Sequence, residues 1–167
     1  MTLELLTQNV RALRDGMSAL IGEVVQQHEQ DIIEYQRIQL LEGKNSDGED
    51  MRPYYTEDLK PDGYFKSRES AGRYAAWKES LSYPFSASRN HNTPNLYING
   101  RFHDELGIRF LDDGVEVVPK TMYAAGIMAK YGRNAFGLSM EKWNEVFMER
   151  GIKDEIIMSF KRRIYGN

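Results

Sequence analysis

Apolar residues at the start of the chain fall into one regular series. Leu3, Leu6, Val10, Leu13, Met17, Leu20 and Val24 follow one another at steps of 3, 4, 3, 4, 3 and 4, the spacing of a heptad seam on an α-helix. A second stripe continues through Val25, Ile32, Tyr35 and Gln39, with Ile33, Leu40 and Leu41 beside it. Read as one helix from Leu3 to Leu41, the segment would reach about 58 Å, longer than a small domain. Gly16 and Gly22 each cost about 1 kcal/mol relative to Ala inside a helix, so a bend or break is expected near them. Gly43 ends the pattern, and the polar run from Lys44 to Asp50 follows as a turn. This divides the chain into an N-terminal helical region, 1–43, and an α+β domain, 44–167, expected to form one structural unit.

Beyond the turn the pattern loosens. Met51 to Tyr64, with Pro53, Pro61 and Gly63, reads as an ordered irregular loop. Ser67 to Leu81 predicts a helix with Tyr74, Trp77 and Leu81 on one face. Tyr83 to Thr93, rich in Ser, Asn, His and Pro, is the candidate mobile loop. Strand signals come late: Leu106 to Leu111 alternates around Ile108 and Phe110, Asp112-Asp113-Gly114 makes the turn, and Val115 to Val118 returns as a hairpin. Leu96-Tyr97-Ile98 is a candidate third strand, and Asn99-Gly100 a turn or strand-to-helix junction. Short helices are predicted for Thr121 to Tyr131, stopped by Gly132, for Met140 to Glu149 and for Ile152 to Ile164. Ser139 is placed to cap the second of these. Asp154 and Glu155 early, with Lys161, Arg162 and Arg163 late, suit the dipole of the third. The fold class is α+β: a long N-terminal helix and a small antiparallel sheet, with its hairpin near 106–118, flanked by several helices.

Composition narrows the chemistry. The 167 residues are 41% hydrophobic and include 10 Tyr and 7 Phe, enough for a real core. There is no Cys, which excludes a disulfide scaffold, a thiolate zinc site and a cysteine nucleophile. A net charge of -3 argues against a whole-protein electrostatic grip on nucleic acid, while a local basic patch survives the average. No run approaches the 18 to 20 apolar residues of a membrane span. Met1 to Thr7 carries Glu4 and no basic leader, so a soluble protein made in a cytoplasm is expected.

Candidate sites fail one by one. With Gly48 as the sixth residue of a calcium loop, Gly43 falls first and Tyr54 twelfth, where carboxylates are required. His28-Glu29 is followed by Ile32 where a zinc helix needs its second histidine. His103-Asp104-Glu105, near Asp112 and Asp113, reads as solvent-facing residues beside a hairpin. No nucleophile elbow, GxGxxG or Walker A loop is present. No catalytic, cofactor-binding or metal residue is assigned, no cofactor is expected, and the chain is read as a non-enzyme. The remaining candidates are contacts for assembly: Leu3, Leu6, Val10, Leu13 and Met17 on the seam, and the basic run Lys161, Arg162 and Arg163. That run is either a helix terminus or a contact for a negatively charged surface.

Three stretches carry a resemblance. The first is Ile38-Gln39-Leu40-Leu41-Glu42-Gly43, with Asp47-Gly48 and Met51-Arg52-Pro53-Tyr54 after it. The second is Leu96-Tyr97-Ile98-Asn99-Gly100-Arg101-Phe102. The third runs from Ala129-Lys130-Tyr131-Gly132 to Phe136-Gly137-Leu138-Ser139. In this order, over roughly residues 36 to 140, they resemble the tail-completion and head–tail connector proteins of tailed bacteriophages. Asn99 stands where that family usually has Thr, and the segment from Ser67 to Thr93 is longer than usual. The resemblance implies an α+β virion component without enzymatic activity. It implies a homo-oligomeric ring of cyclic symmetry in the neck, joining portal to tail or completing the tail, with neighbouring neck or tail proteins as partners. Contact with DNA in the channel would be passive, and no membrane is involved. Two other classes compete: an intracellular nucleic-acid-associated or regulatory protein using the C-terminal basic helix, and a small hydrolase using His103 with Asp104 or Asp112.

Overall fold

Three of the helices start where a side chain satisfies the first free backbone N–H groups. The Thr2 hydroxyl accepts from the Leu5 N–H, the Ser139 hydroxyl from the Lys142 N–H, and Ser67 and Ser70 form a reciprocal capping box. The computed structural model describes residues 2–56, 64–111 and 114–166. Its elements are α1 (Leu3–Gln27), α2 (Glu29–Leu41), α3 (Arg68–Glu79), α4 (Arg101–Asp104), β1 (Leu106–Leu111), β2 (Gly114–Pro119), α5 (Ala124–Tyr131), a 3-10 turn (Arg133–Ala135), α6 (Met140–Glu149) and α7 (Ile152–Tyr165). The architecture is α+β, as expected, with the long N-terminal helix and a two-stranded antiparallel sheet.

The N-terminal helix breaks at His28 and runs unbroken through Gly16 and Gly22, a correction to the position expected from the glycines. His28 has φ -101 and ψ 17, and its N–H turns back to the Val25 carbonyl at 3.1 Å. Its ring lies 2.9 Å from Asp31 and 3.0 Å from Glu155 of α7. Side-chain partners at the break outweigh the weak helix preference of two glycines. The break lets α2 fold into the core, where Val24, Val25, Ile32 and Tyr35 meet Val117, Leu138, Val146 and Ile152. Ile33 and Leu40 form a second cluster with Met51 and Leu106. Region 1–43 therefore shares one core with the rest of the chain.

Gln39 and Gly43 fix how α2 ends. The Gln39 amide donates to the carbonyls of Asn45 at 3.0 Å and Gly137 at 2.9 Å, and its oxygen accepts from the Ser139 N–H at 2.8 Å. This buried side chain joins the first and third motif stretches. Gly43 has φ +75, and a Cβ there would meet the Thr93 methyl at 2.5 Å, so no other residue fits without a shift. In the turn that follows, the Asn45 side chain accepts from the N–H groups of Asp47 and Glu49.

Three further expectations change. The hairpin pairs Leu106 with Pro119 through to Leu111 with Gly114; Asp112 and Asp113 of its turn lie outside the described residues. Leu96-Tyr97-Ile98 forms no strand. The Asn95 side chain accepts from the Tyr97 N–H at 3.2 Å and Leu96 adopts φ +52, so local turn chemistry wins over strand propensity. In α3 the buried residues are Ala71, Ala75 and Lys78, Tyr74 is half-buried against Tyr54, and Trp77 is exposed; the small face lets the helix approach closely. Of Met51 to Tyr64, residues 57–63 lie outside the described residues. Tyr83 to Thr93 is irregular and tied down by Arg89, whose buried guanidinium reaches the Thr93 carbonyl at 2.7 Å and Glu79 at 2.5 Å.

Candidate functional site

The assembly-contact candidates converge on one feature, an arm built from α1 and α7. From Leu3 to Ala19 no side chain of α1 is buried; burial begins at Leu20. Leu3 is 79% exposed and Val10 and Met17 are exposed, while Leu6 and Leu13 are half-buried. Leu6 and Leu13 share a helix face with Asn9 and Gly16, and that face meets α7. The Asn9 amide donates to the Ile164 carbonyl at 2.8 Å, and the Arg163 guanidinium lies over Gly16. The regular seam is therefore split: one side covers α7 and the other is open. On α7, Ile157, Met158 and Tyr165 are exposed as well. Arg163 reaches Glu23 at 3.4 Å, an exposed pair worth little to stability. Lys161 and Arg162 are exposed and have no ion-pair partner among the described residues.

At the root of the arm, His28 bridges the α1–α2 break to α7. Its pKa is raised, chiefly by the hydrogen bond to Glu155 and, against the cost of burial, by that to Asp31. Arg150 of the α6–α7 junction reaches Asp31 at 3.4 Å and Glu34 at 3.0 Å. The charges of four elements thus meet at the point where the arm leaves the core.

A second feature is built from other elements than the arm. A cavity of about 410 Å³ opens between α3, the segment 94–102 and α5, walled by Tyr54, Tyr74, Leu96, Phe102, Ile127 and Tyr131 among others. Tyr54 packs edge-on against Tyr74 with ring centroids 5.2 Å apart, and burial raises both hydroxyl pKa values. Lys78 lines the cavity, is 1% exposed, and has no hydrogen bond or ion pair to its ammonium among the described residues. Burial, reinforced by the charge of Arg89, lowers its pKa to about 7. Glu79, the nearest acid in sequence, is held by Arg89.

His103 is not solvent-facing, contrary to the sequence expectation. It is 2% exposed, its Nε2 lies 3.1 Å from the Asn95 carbonyl, and burial lowers its pKa to about 4. Its Nδ1 and the Asn95 amide nitrogen are buried without a hydrogen-bond partner among the described residues. A neutral, enclosed imidazole bonded to a backbone carbonyl is a core residue, and His103 has no hydrogen bond to Asp104; Asp112, the other acid considered with it, lies outside the described residues. His91 pairs with the Tyr55 hydroxyl at 3.1 Å. No cluster of three His, Asp or Glu side chains suited to a metal ion occurs among the described residues.

Lys78 escaped the sequence reading because a lone lysine in a helix is read as solvated. The signal lay in its spacing: Ala71, Ala75 and Lys78 fall at i, i+4 and i+7, so the lysine sits on the same face as two small residues. Among the described residues no helix is long and apolar enough to cross a membrane. Comparison of the chain with protein-family models, curated proteins and solved structures returned no match.

Proposed function

We propose that this chain is a non-enzymatic structural protein of a tailed-bacteriophage virion, one protomer of a cyclic homo-oligomer in the neck that joins portal to tail or completes the tail. The observation that carries the reading is the open face of α1, where Leu3, Val10 and Met17 stand exposed on a helix anchored only through its C-terminal end and α7. A ring needs two different surfaces on each protomer that meet head to tail and close. An exposed apolar helix supplies one such surface, and monomers seldom leave one bare. Covering each of these side chains is worth on the order of 1.5 to 3 kcal/mol by area, before the losses of association. The motif resemblance suggests the particle. Gln39, which ties together two of the three motif stretches, gives those residues a shared structural reason to occur in that order.

Native mass spectrometry and negative-stain electron microscopy of the purified protein, alone and with portal, test this. A closed ring, or a portal-dependent one, is the expected result. The triple variant Leu3→Ser, Val10→Ser, Met17→Ser, confined to the open face, is expected to lose assembly while circular dichroism keeps the helical signal. A protein that stays monomeric with and without portal overturns the reading. Lys161 and Arg162, exposed and without an ion-pair partner among the described residues, favour the nucleic-acid reading instead; binding to duplex DNA that weakens steeply with salt and disappears in Lys161→Ala, Arg162→Ala would establish it.

A further inference from the structure

A buried ammonium without a counter-ion is among the costliest groups a protein can hold. Lys78 is such a group, and it lies in the wall of a cavity rather than in packed interior. The two charged side chains lining that cavity, Lys78 and Arg101, are both cationic, and no carboxylate lines it. The remaining wall is aromatic or aliphatic, save for Asn99 and Thr121. A volume of about 410 Å³ is within the range of small-molecule sites, and an apolar surround with a few converging polar groups is their usual chemistry.

We propose that this cavity binds a small apolar carboxylate, whose carboxylate pairs with the Lys78 ammonium while its ring or chain fills the space between Tyr54, Tyr74, Phe102 and Ile127. A cationic ligand would face Lys78 with no acid to hold it. A phosphate would bring three acceptor oxygens to one buried amine, leaving the others against rings. A neutral apolar ligand would leave the ammonium unpaired. A carboxylate on an apolar body answers both the charge and the walls. Burial keeps the Lys78 pKa near 7, so part of the population is already cationic at neutral pH and pairing favours the rest taking up a proton. The site is independent of the assembly reading, because it lies on α3 and α5 and uses neither α1 nor α7.

Isothermal calorimetry and protein-observed NMR with two probes, naphthalene-2-carboxylate and octanoate, test the proposal. At least one is expected to bind saturably with Kd below about 1 mM, shifting resonances of Tyr54, Tyr74 and Ile127. Naphthalene-2-carboxamide, equal in shape and without charge, is expected to bind at least about tenfold more weakly than the carboxylate, a difference of about 1.4 kcal/mol. In Lys78→Met the acid is expected to lose that advantage and the two compounds to bind alike. No saturable binding of either acid, acid and amide binding equally to the wild-type protein, or an acid preference retained in Lys78→Met overturns the proposal. The acid-against-amide comparison uses the wild-type protein, so it decides the matter even if Lys78→Met does not fold.

Discussion

α1 and α2 are neighbours on the chain, separated by His28 alone, and they live in different environments. Of the thirteen residues of α2, Ile32, Ile33, Tyr35, Gln36, Gln39, Leu40 and Leu41 are buried, on more than one face. Of the longer α1, only Leu20, Val24 and Val25 are. The helix with the cleaner heptad series is the one left open, and the helix with the blurred series is the one enclosed. A helix buried all round has no reason to be two-sided, whereas the seam of α1 is covered by α7 at Leu6 and Leu13 and left exposed at Leu3, Val10 and Met17.

Stability measurements separate the two helices most sharply. Leu40→Ala in α2, at a fully buried position, is expected to cost about 2–5 kcal/mol in urea unfolding, while Val10→Ser in α1 is expected to stay within about 0.5 kcal/mol. A large loss at Val10 would erase the distinction and put α1 into the monomer core. Next in size is Lys78→Met, which removes an unpaired buried charge. The wild-type amine titrates at about 7 folded and at 10.5 in the unfolded chain, so between those values the unfolded chain holds the extra proton. Folding stability therefore rises with pH through that window, and the penalty is complete below it. The variant is expected to be more stable than wild type by on the order of 1–4 kcal/mol at pH 6, with the gap closing towards pH 10. Thermal melts across that range check it, and a pH-independent gap would point to packing instead.

Gln39→Ala leaves the Asn45 and Gly137 carbonyls and the Ser139 N–H without this partner. A cost of about 1–3 kcal/mol is expected. If the variant is neutral, α2 is held by apolar contact alone. The smallest effect belongs to His28. Its raised pKa means that its contribution is complete below about 6.5, the unfolded value, and lost as pH rises through the higher folded value. Wild type minus His28→Gln is thus expected to shrink with rising pH across that interval, by less than about 1 kcal/mol. Asp31, Glu155 and the nearby Arg150 all face this ring or its partners, so Glu155→Gln is expected to flatten the same dependence.

Much of the architecture was legible because it is written in short-range signals. Ser67 and Ser139 announce helix starts, Gly43 and Gly132 announce stops, and the alternation around Ile108 and Phe110 announces the hairpin. What failed needed information from afar. The break at His28 depends on Glu155, 127 residues later. The absent strand at 96–98 depends on an Asn95 side chain that caps its own backbone. Burial of His103 and Lys78 depends on which elements fold over them, and a polar letter carries no mark of that. The arm candidates were readable as a seam; that the basic run Lys161 to Arg163 would lie on the partner helix of the same arm was not, since no spacing rule links residues 150 positions apart.

The pairing of α1 with α7 has a mechanical consequence. The open part of α1, Leu3 to Ala19, is about 25 Å long and is braced by α7, to which Asn9 is hydrogen-bonded through the Ile164 carbonyl, so the two helices form one stiff arm that leaves the core where Leu20, Val24 and Val25 are buried. Tilting an arm of that length by about 10° carries its tip about 4 Å. Small rearrangements at the root, where His28 meets Asp31 and Glu155, are therefore geared up at Leu3.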